Sequence, residues 1–255
     1  MKKLKILKYI IIIFITLITY ITLTNQNERL YTINILKEPD KLILASDFRG
    51  NLNRKYWNII EQGKNTNNEL QYYTNNNVII KNNNLSLIAD NEQYNNHNYT
   101  SGMLSTKGKF EFLYGKVIIK AKSAPGKGLL SAIWLLPVDD SFLPEIDIIE
   151  ILGEKTNEVW MGTHYENNGK RYKSFNTYSK LKDNFNLYEL VWNKDEIRWS
   201  VNGNIVHKTN KGVPNKEMYL IINLAVGGDW PQDPDNSIFP AEFLIDYIVI
   251  IPEDI

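Results

Sequence analysis

Cysteine is absent from the 255 residues. That excludes disulfides, thiolate metal sites, a cysteine nucleophile and lipid attachment through an N-terminal cysteine. Stability therefore has to come from packing, and a chain of this length with 43% hydrophobic composition can bury a sizeable core as one globular domain. An excess of charge is missing too, since 29 Lys and Arg balance 29 Asp and Glu. The electrostatic footprint of a nucleic-acid binder, whose affinity rests largely on phosphate neutralisation, is not there, and no nucleic-acid partner is expected. Nor does any long stretch of the domain carry apolar residues at a helical period.

What the chain does carry begins with Lys2, Lys3, Lys5 and Lys8, followed by an uncharged apolar run from about Tyr9 to Leu23. This pattern reads as an export signal. The run is shorter than the roughly 20 residues of a spanning helix, yet no Ala-x-Ala-like cleavage site follows in ITLTNQNE. Residues 1–27 are therefore either a signal peptide or a retained membrane anchor, and the protein is expected to be secreted or exported and membrane-anchored. Residues 28–40 are polar and patternless and read as a linker. The domain is expected over residues 41–255, as a monomer.

Within it, short apolar or alternating runs recur between Asn, Gly and Asp: VIIKNNNLSLIA, KGKFEFLYGKVIIKAK, SAIWLLP, EIDIIEIL, EVWMGTHY, LYELVW, EIRWSVNGNIVHK, MYLIINLAV and EFLIDYIVII. These are strand patterns. In IRWSVNGNIVHK, Ile197, Trp199 and Val201 alternate into Asn202-Gly203, and Ile205 and His207 alternate out, as a type I′ hairpin requires. Many short strands in one chain predict an all-β, two-sheet antiparallel sandwich. The Asn-rich patches NTNNEL, TNNNVIIKNNNL and NEQYNNHN read as turns, because Asn tolerates the left-handed conformation. Six Trp and fifteen Tyr suit a β-rich core and equally suit sugar binding, since flat rings match the apolar faces of pyranoses.

The chemistry centres on Pro144-Glu145-Ile146-Asp147-Ile148-Ile149-Glu150, three acids interleaved with isoleucines in an expected strand. Side chains alternate faces with period two, so Glu145 and Asp147 share a face and Glu150 has the wrong parity. A β-bulge around Ile148 and Ile149 would bring Glu150 onto the face of the other two. Such a row suits retaining glycoside hydrolysis, which needs one ionised and one protonated carboxyl held close together. Asp147 between them could hydrogen-bond the nucleophile and help keep Glu150 protonated. The spacing alone is weak, arising by chance about 0.4 times in a chain this long, and acids on the solvent side of an edge strand would serve to deter aggregation.

Beyond that spacing, the chain resembles glycoside hydrolase family 16, in particular its laminarinase-like members. The likeness rests on NNELQYYT (67–74), YTSGMLSTKGKFEFLYGKVIIKAK (99–122), GLLSAIWLLP (128–137), EIDIIE (145–150), GTHY (162–165), IRWSVNG (197–203), NLAVGGDWP (223–231) and FLIDYIVI (243–250), all in the common order. The resemblance implies a concanavalin-like β-jelly roll with a concave sugar-binding cleft, and an endo-β-1,3-glucanase acting with retention on laminarin-like glucan, with mixed β-1,3/1,4-glucan as a second substrate. It assigns Glu145 as nucleophile, Asp147 as assisting acid and Glu150 as general acid/base, with no cofactor for catalysis. It places Trp134 as a sugar-stacking ring and His164 near the acid/base. Asn68, Glu69 and Tyr72 border the glycone side, and Trp230 and Pro231 lie in a loop beside the cleft. Trp160 and Trp57 are weaker aromatic candidates and read as core.

The family usually has Gly before the nucleophile and a Trp some residues earlier, where this chain has Pro144 and Phe142. Lys116 stands where many members carry Arg, losing the bidentate fork. The resemblance also implies a structural calcium at Asp246, with Asn83 in place of a carbonyl-supplying Gly, oxygen ligands being what that ion prefers. The rival readings are a non-catalytic β-glucan-recognition protein, and a hydrolase or transglycosylase for another polysaccharide on the same fold; fold alone does not choose among them.

Overall fold

The apolar runs form two antiparallel sheets in the computed structural model, which describes residues 44–253 apart from residue 64. The expectations for residues 1–27, for the linker 28–40 and for the start of the domain at Lys41 lie outside the described residues. In chain order the strands are β1 (Leu44–Ser46), β2 (Asn58–Ile59), β3 (Gln71–Tyr73), β4 (Val78–Lys81), β5 (Asn84–Ala89), β6 (Tyr99–Ser101), β7 (Met103–Ser105), β8 (Gly115–Lys122), β9 (Leu129–Pro137), β10 (Glu145–Leu152), β11 (Val159–Asn167), β12 (Lys170–Tyr178), β13 (Asn186–Trp192), β14 (Ile197–Val201), β15 (Asn204–Thr209), β16 (Met218–Val226) and β17 (Ala241–Pro252). One sheet runs β15-β14-β13-β8-β17-β5-β4, with β1 added on β17, and the other runs β12-β11-β10-β9-β16-β7-β2. A short parallel pair, β3 with β6, stands apart from both.

Alternation decides what each sheet buries. Val117, Ile119 and Ala121 on β8, Tyr188, Leu190 and Trp192 on β13, and Ile197, Trp199 and Val201 on β14 are all buried in the single main core. Ile133 and Leu135 on β9, Ile146 and Ile148 on β10, Met161 on β11, and Leu220, Ile222 and Leu224 on β16 join them from the seven-stranded sheet. Burial of this kind stabilises by roughly 25 cal/mol per Å² of apolar surface and offsets the conformational entropy that folding removes. Trp57, fully buried with its Nε1 donating to Ser46 Oγ at 2.9 Å, is a core residue as its sequence context indicates.

The turns follow residue chemistry. Eight of the twelve non-glycine residues at positive φ among the described residues are Asn, at 67, 68, 82, 83, 95, 96, 168 and 202. Asn202 and Gly203 have φ of 49° and 81°, both positive as a type I′ turn demands, and Val201 pairs directly with Asn204 across them. The run expected from Lys107 is shorter than its pattern suggests, because β8 starts only at Gly115. Tyr114 and Gly115 sit at φ of 62° and 141°, which interrupts the extended backbone, and Phe110 and Phe112 are buried from the preceding loop.

Candidate active site

On β10 the pairing with β11 runs Glu145 to His164 and Asp147 to Gly162, then jumps so that Glu150 faces Trp160. The pairing with β9 jumps at the same place, from Asp147–Trp134 to Ile149–Ile133. One extra residue has been inserted, and Ile148 and Ile149 are both fully buried as a result. Since 164, 162 and 160 have one parity, Glu145, Asp147 and Glu150 occupy one face, the outer face of the seven-stranded sheet. The carbonyl of Asp147, where the ladder is interrupted, accepts a 2.9 Å hydrogen bond from Nε1 of Trp199, which reaches across the core from β14. Trp199→Phe leaves this buried carbonyl without its donor and is expected to cost about 1–3 kcal/mol, seen as a lower urea midpoint at unchanged slope.

Register extends the face into rows. Glu145 has His164 on one side, and Asp147 has Gly162 on one side and Trp134 on the other. Glu150 lies between Trp160 and Ala132, and Ala132 in turn pairs with Asn223 on β16. Trp134 is half-buried beside a small apolar patch of Leu136, Tyr219 and Ile221, and its Nε1 donates to Asn223 Oδ1 at 2.8 Å. Asn223 Nδ2 donates to the hydroxyl of buried Tyr73 at 3.1 Å, and that hydroxyl and Gln71 Nε2 both lie on Glu69 Oε2. Glu69 thus connects to Trp134 through Tyr73 and Asn223, and desolvation raises its pKa.

Several placements differ from expectation. Tyr72 turns to the opposite side from Tyr73, into a cluster with Tyr94 and His97 at ring distances of 5.0 and 5.5 Å; period-two alternation makes Tyr73 the ring that meets Asn223. Trp160, read as core, is half-buried on the face of the acids and meets Trp230 edge-on at 5.6 Å. Trp230 is exposed, and Pro231 beside it is buried. Asn68 is exposed and donates to Asp229 Oδ1 at 2.8 Å, tying its turn to the loop that carries Trp230. Phe142, in the loop just before Glu145, is 75% exposed. Lys116 pairs with Glu189 at 2.6 Å on the eight-stranded sheet, so its difference from Arg lies away from the acids and does not bear on them.

The acids are electrostatically strained. Asp147 is 2% exposed, and its Oδ2 has no hydrogen-bond partner, with His164 Nε2 at 3.7 Å. Desolvation, followed by the charges of Glu150 and Glu145, pushes the Asp147 pKa well up, so it keeps a proton and donates it to Glu145. Desolvation raises Glu145 to about 7, opposed by that hydrogen bond, and raises Glu150 to about 8, assisted by the charge of Glu145. His164 is pushed down by desolvation and by nearby Lys173, so it stays neutral. The hydrogen bond from Asp147 thus favours the ionised form of Glu145, and the charge of Glu145 favours the protonated form of Glu150.

These shifts carry a sign for stability. Each folded pKa lies above its unfolded value, so between about 4.5 and about 8 the folded chain holds protons that the unfolded chain has released. Stability falls as pH rises through that window. Glu150→Gln removes one source of the loss and is expected to raise the melting temperature at pH 8, by the equivalent of about 1–2 kcal/mol, and much less at pH 5. Equal effects at both values would contradict the assignment.

Among the described residues, the group of acids and histidines able to converge on an ion is Glu145, Asp147 and His164, with ligand atoms within 4.8 Å of one another. Those carboxyls are already engaged in sharing a proton. Asp246 stands elsewhere, at a bulge in β17, with Lys120 Nζ 3.3 Å from its Oδ2. Asn83 keeps a positive φ of 60°, and the ammonium of Lys120 stands where it would compete with a cation for Asp246.

A two-sheet antiparallel sandwich with a bulged row of three carboxyls, flanked by tryptophans on one sheet face, defines a carbohydrate-cleaving enzyme of the jelly-roll type. The chain belongs to the glycosyl hydrolases family 16, whose pattern matches residues 65–248. It is 31% identical to glucan endo-1,3-beta-glucosidase A1 of Niallia circulans and 30% identical to endo-1,3-1,4-beta-glycanase ExsH of Rhizobium meliloti, over 83% of this chain in each case. The chain spans 38% and 50% of the length of those two relatives. The laminarinase catalytic domain of Thermotoga maritima superposes with a TM-score of 0.75 at 30% identity, covering 83% of this chain and 98% of that one. Hydrolysis in this family needs no catalytic cofactor.

Proposed function

We propose that this protein is a retaining endo-glycosidase that hydrolyses internal β-1,3 bonds, and mixed β-1,3/1,4 bonds, of laminarin-like glucan. The observation that carries the reading is the bulge that puts Glu145, Asp147 and Glu150 on one face, with the middle acid buried and its pKa pushed well up. The Glu145 carboxylate attacks the anomeric carbon while Glu150 gives its proton to the departing glycosidic oxygen, breaking the C–O bond and leaving a glycosyl ester on Glu145. Glu150, now ionised, takes a proton from water, which attacks the same carbon and releases Glu145. Asp147 donates to Glu145 and holds its oxygens in line, and Trp134, fixed through Asn223, offers its ring to a glucosyl unit. The 1,3- and 1,3-1,4-acting relatives support this choice of linkage.

The test is incubation with laminarin, lichenan, agarose and carboxymethyl-cellulose, counting new reducing ends. Cleavage of laminarin is expected. Binding to laminarin without cleavage would make the protein a recognition module, and cleavage of agarose alone would keep the mechanism and overturn the substrate.

The N-terminal lysines and apolar run support export, which N-terminal sequencing of the protein recovered from the medium or the membrane fraction would check. We further infer that Lys120 takes the place of a calcium at Asp246. EDTA is then expected to leave the melting temperature unchanged, whereas a fall reversed by added calcium would contradict this.

A further inference from the structure

The outermost strand of the seven-stranded sheet, β12, carries a feature that hydrolysis of a neutral glucan does not require. Its register against β11 sets Phe175 opposite Gly162, Lys173 opposite His164 and Arg171 opposite Glu166. Residues directly opposite share a face, so Phe175 and Lys173 stand on the face of the catalytic acids, Lys173 in the row that runs through His164 to Glu145. Adjacent strands are about 4.8 Å apart, which puts the Lys173 backbone roughly two strand spacings, ~10 Å, from that of Glu145.

Phe175 packs against Gly162. A Cβ at that glycine would come within 2.6 Å of the ring, and His164 meets the same ring edge-on at 4.8 Å. Phe175 is half-buried, and its pairing with Gly162 sets it on the acid-bearing face. Lys173 is exposed and makes no ion pair among the described residues. In the next row Glu166 and Arg171 offset each other, which leaves Lys173 as the net positive charge. Edge lysines commonly guard a sheet against pairing with another chain. Lys170, on the other face of β12, can serve that purpose, but Lys173 stands on the face of the acids, close enough to His164 for its charge to act on that ring.

We propose that Phe175 and Lys173 form an acceptor-side subsite for a glucan unit bearing an anionic substituent, the ring carrying the sugar and the ammonium its carboxylate or sulfate. This rests on the glucanase reading above. The segment around Asn68 and Glu69, which the resemblance sets on the glycone side, is joined to β16, on the opposite flank of β10 from β12. The loop tied to Asn68 reaches β11 at Trp160, in the row of Glu150; in the row of Glu145, His164 and Lys173 the β12 flank is assigned to the part of the chain beyond the broken bond.

The test compares laminarin with laminarin sparsely oxidised at its primary alcohols to the uronate, and with sparsely sulfated laminarin, at low and high salt. For an exposed charge pair the expected preference in kcat/KM is about fivefold for the acidic polymer at low salt, shrinking towards unity at high salt. Lys173→Gln is expected to abolish the preference and Lys173→Glu to invert it, while Lys170→Gln keeps it. Product analysis supplies a readout independent of rate. Acidic units should concentrate at one fixed position near the new non-reducing end of the downstream fragment, and Phe175→Ala should blur that position. A preference for only the uronate or only the sulfate identifies the source of the anion. Cleavage of neutral laminarin with no acidic preference, or with acidic units scattered among products, would overturn the subsite alone. Failure to cleave any of the three polymers would overturn the glucanase reading and the subsite with it.

Discussion

Glu145→Gly is expected to lower laminarin hydrolysis by on the order of 10⁴-fold or more, because it removes the atom that forms the covalent intermediate and not merely a contact to it. The fold should survive. Glu145 is only partly buried, and removing it relieves a carboxyl that desolvation has pushed up to about 7. What makes the prediction specific is rescue. Azide is small enough to occupy the space vacated by the carboxyl, and it would attack an activated laminari-oligosaccharide from the side Glu145 uses. The product would be the α-glycosyl azide. If Glu145 is instead a bystander, azide restores nothing and the variant keeps much of its activity.

Removing the proton donor gives a different signature. Glu150→Gln is expected to slow laminarin cleavage by about 10²–10⁴-fold, while an aryl laminari-oligosaccharide whose leaving group departs without a proton is still converted to the glycosyl-enzyme. Deglycosylation then lacks its base, and azide should speed turnover and yield the β-glycosyl azide, the opposite anomer from that of the Glu145 variant. The pH profile should change as well. With Glu150 raised to about 8, the native enzyme should lose activity on the alkaline side as that proton leaves, and the Gln variant should lose this limb. The apparent values belong to the three coupled acids together, so the diagnostic is disappearance of the limb, not its exact position. An unchanged alkaline limb would remove Glu150 from the role.

Much of this site was legible in the chain because parity is a strict rule. Glu150 stands three residues after Asp147, a spacing that no regular strand can put on one face, so a functional row required a bulge at Ile148 and Ile149, where the register does shift. The hairpin at Asn202-Gly203 and the Asn-rich turns were legible for a similar reason, since few residues tolerate positive φ. Other features lacked such a rule. β12 reads KRYKSFNTY and has no clean alternation, because as an edge strand it buries little on either side, and its nine residues escaped the strand pattern. Tyr72 is named by the resemblance, and a three-residue strand is too short for alternation to show that Tyr73 is the ring that meets Asn223. Trp160 reads as core from the sequence because a tryptophan in a strand fits either face, and only its pairing with Glu150 decides which. The Trp134–Asn223–Tyr73–Glu69 connection joins residues distant in sequence, and no local pattern announces it.

The central claim is that Glu145 and Glu150 act as nucleophile and acid/base through a covalent intermediate, and the stereochemistry of the first product tests it most directly. Proton NMR of laminarin hydrolysis, followed from the first minutes before mutarotation, reports the anomer of the newly formed reducing end. Two displacements at the same carbon predict that the β signal appears first and the α signal grows in later. An initial α signal would mean a single displacement by water, with Glu145 acting as a base, and would contradict the account.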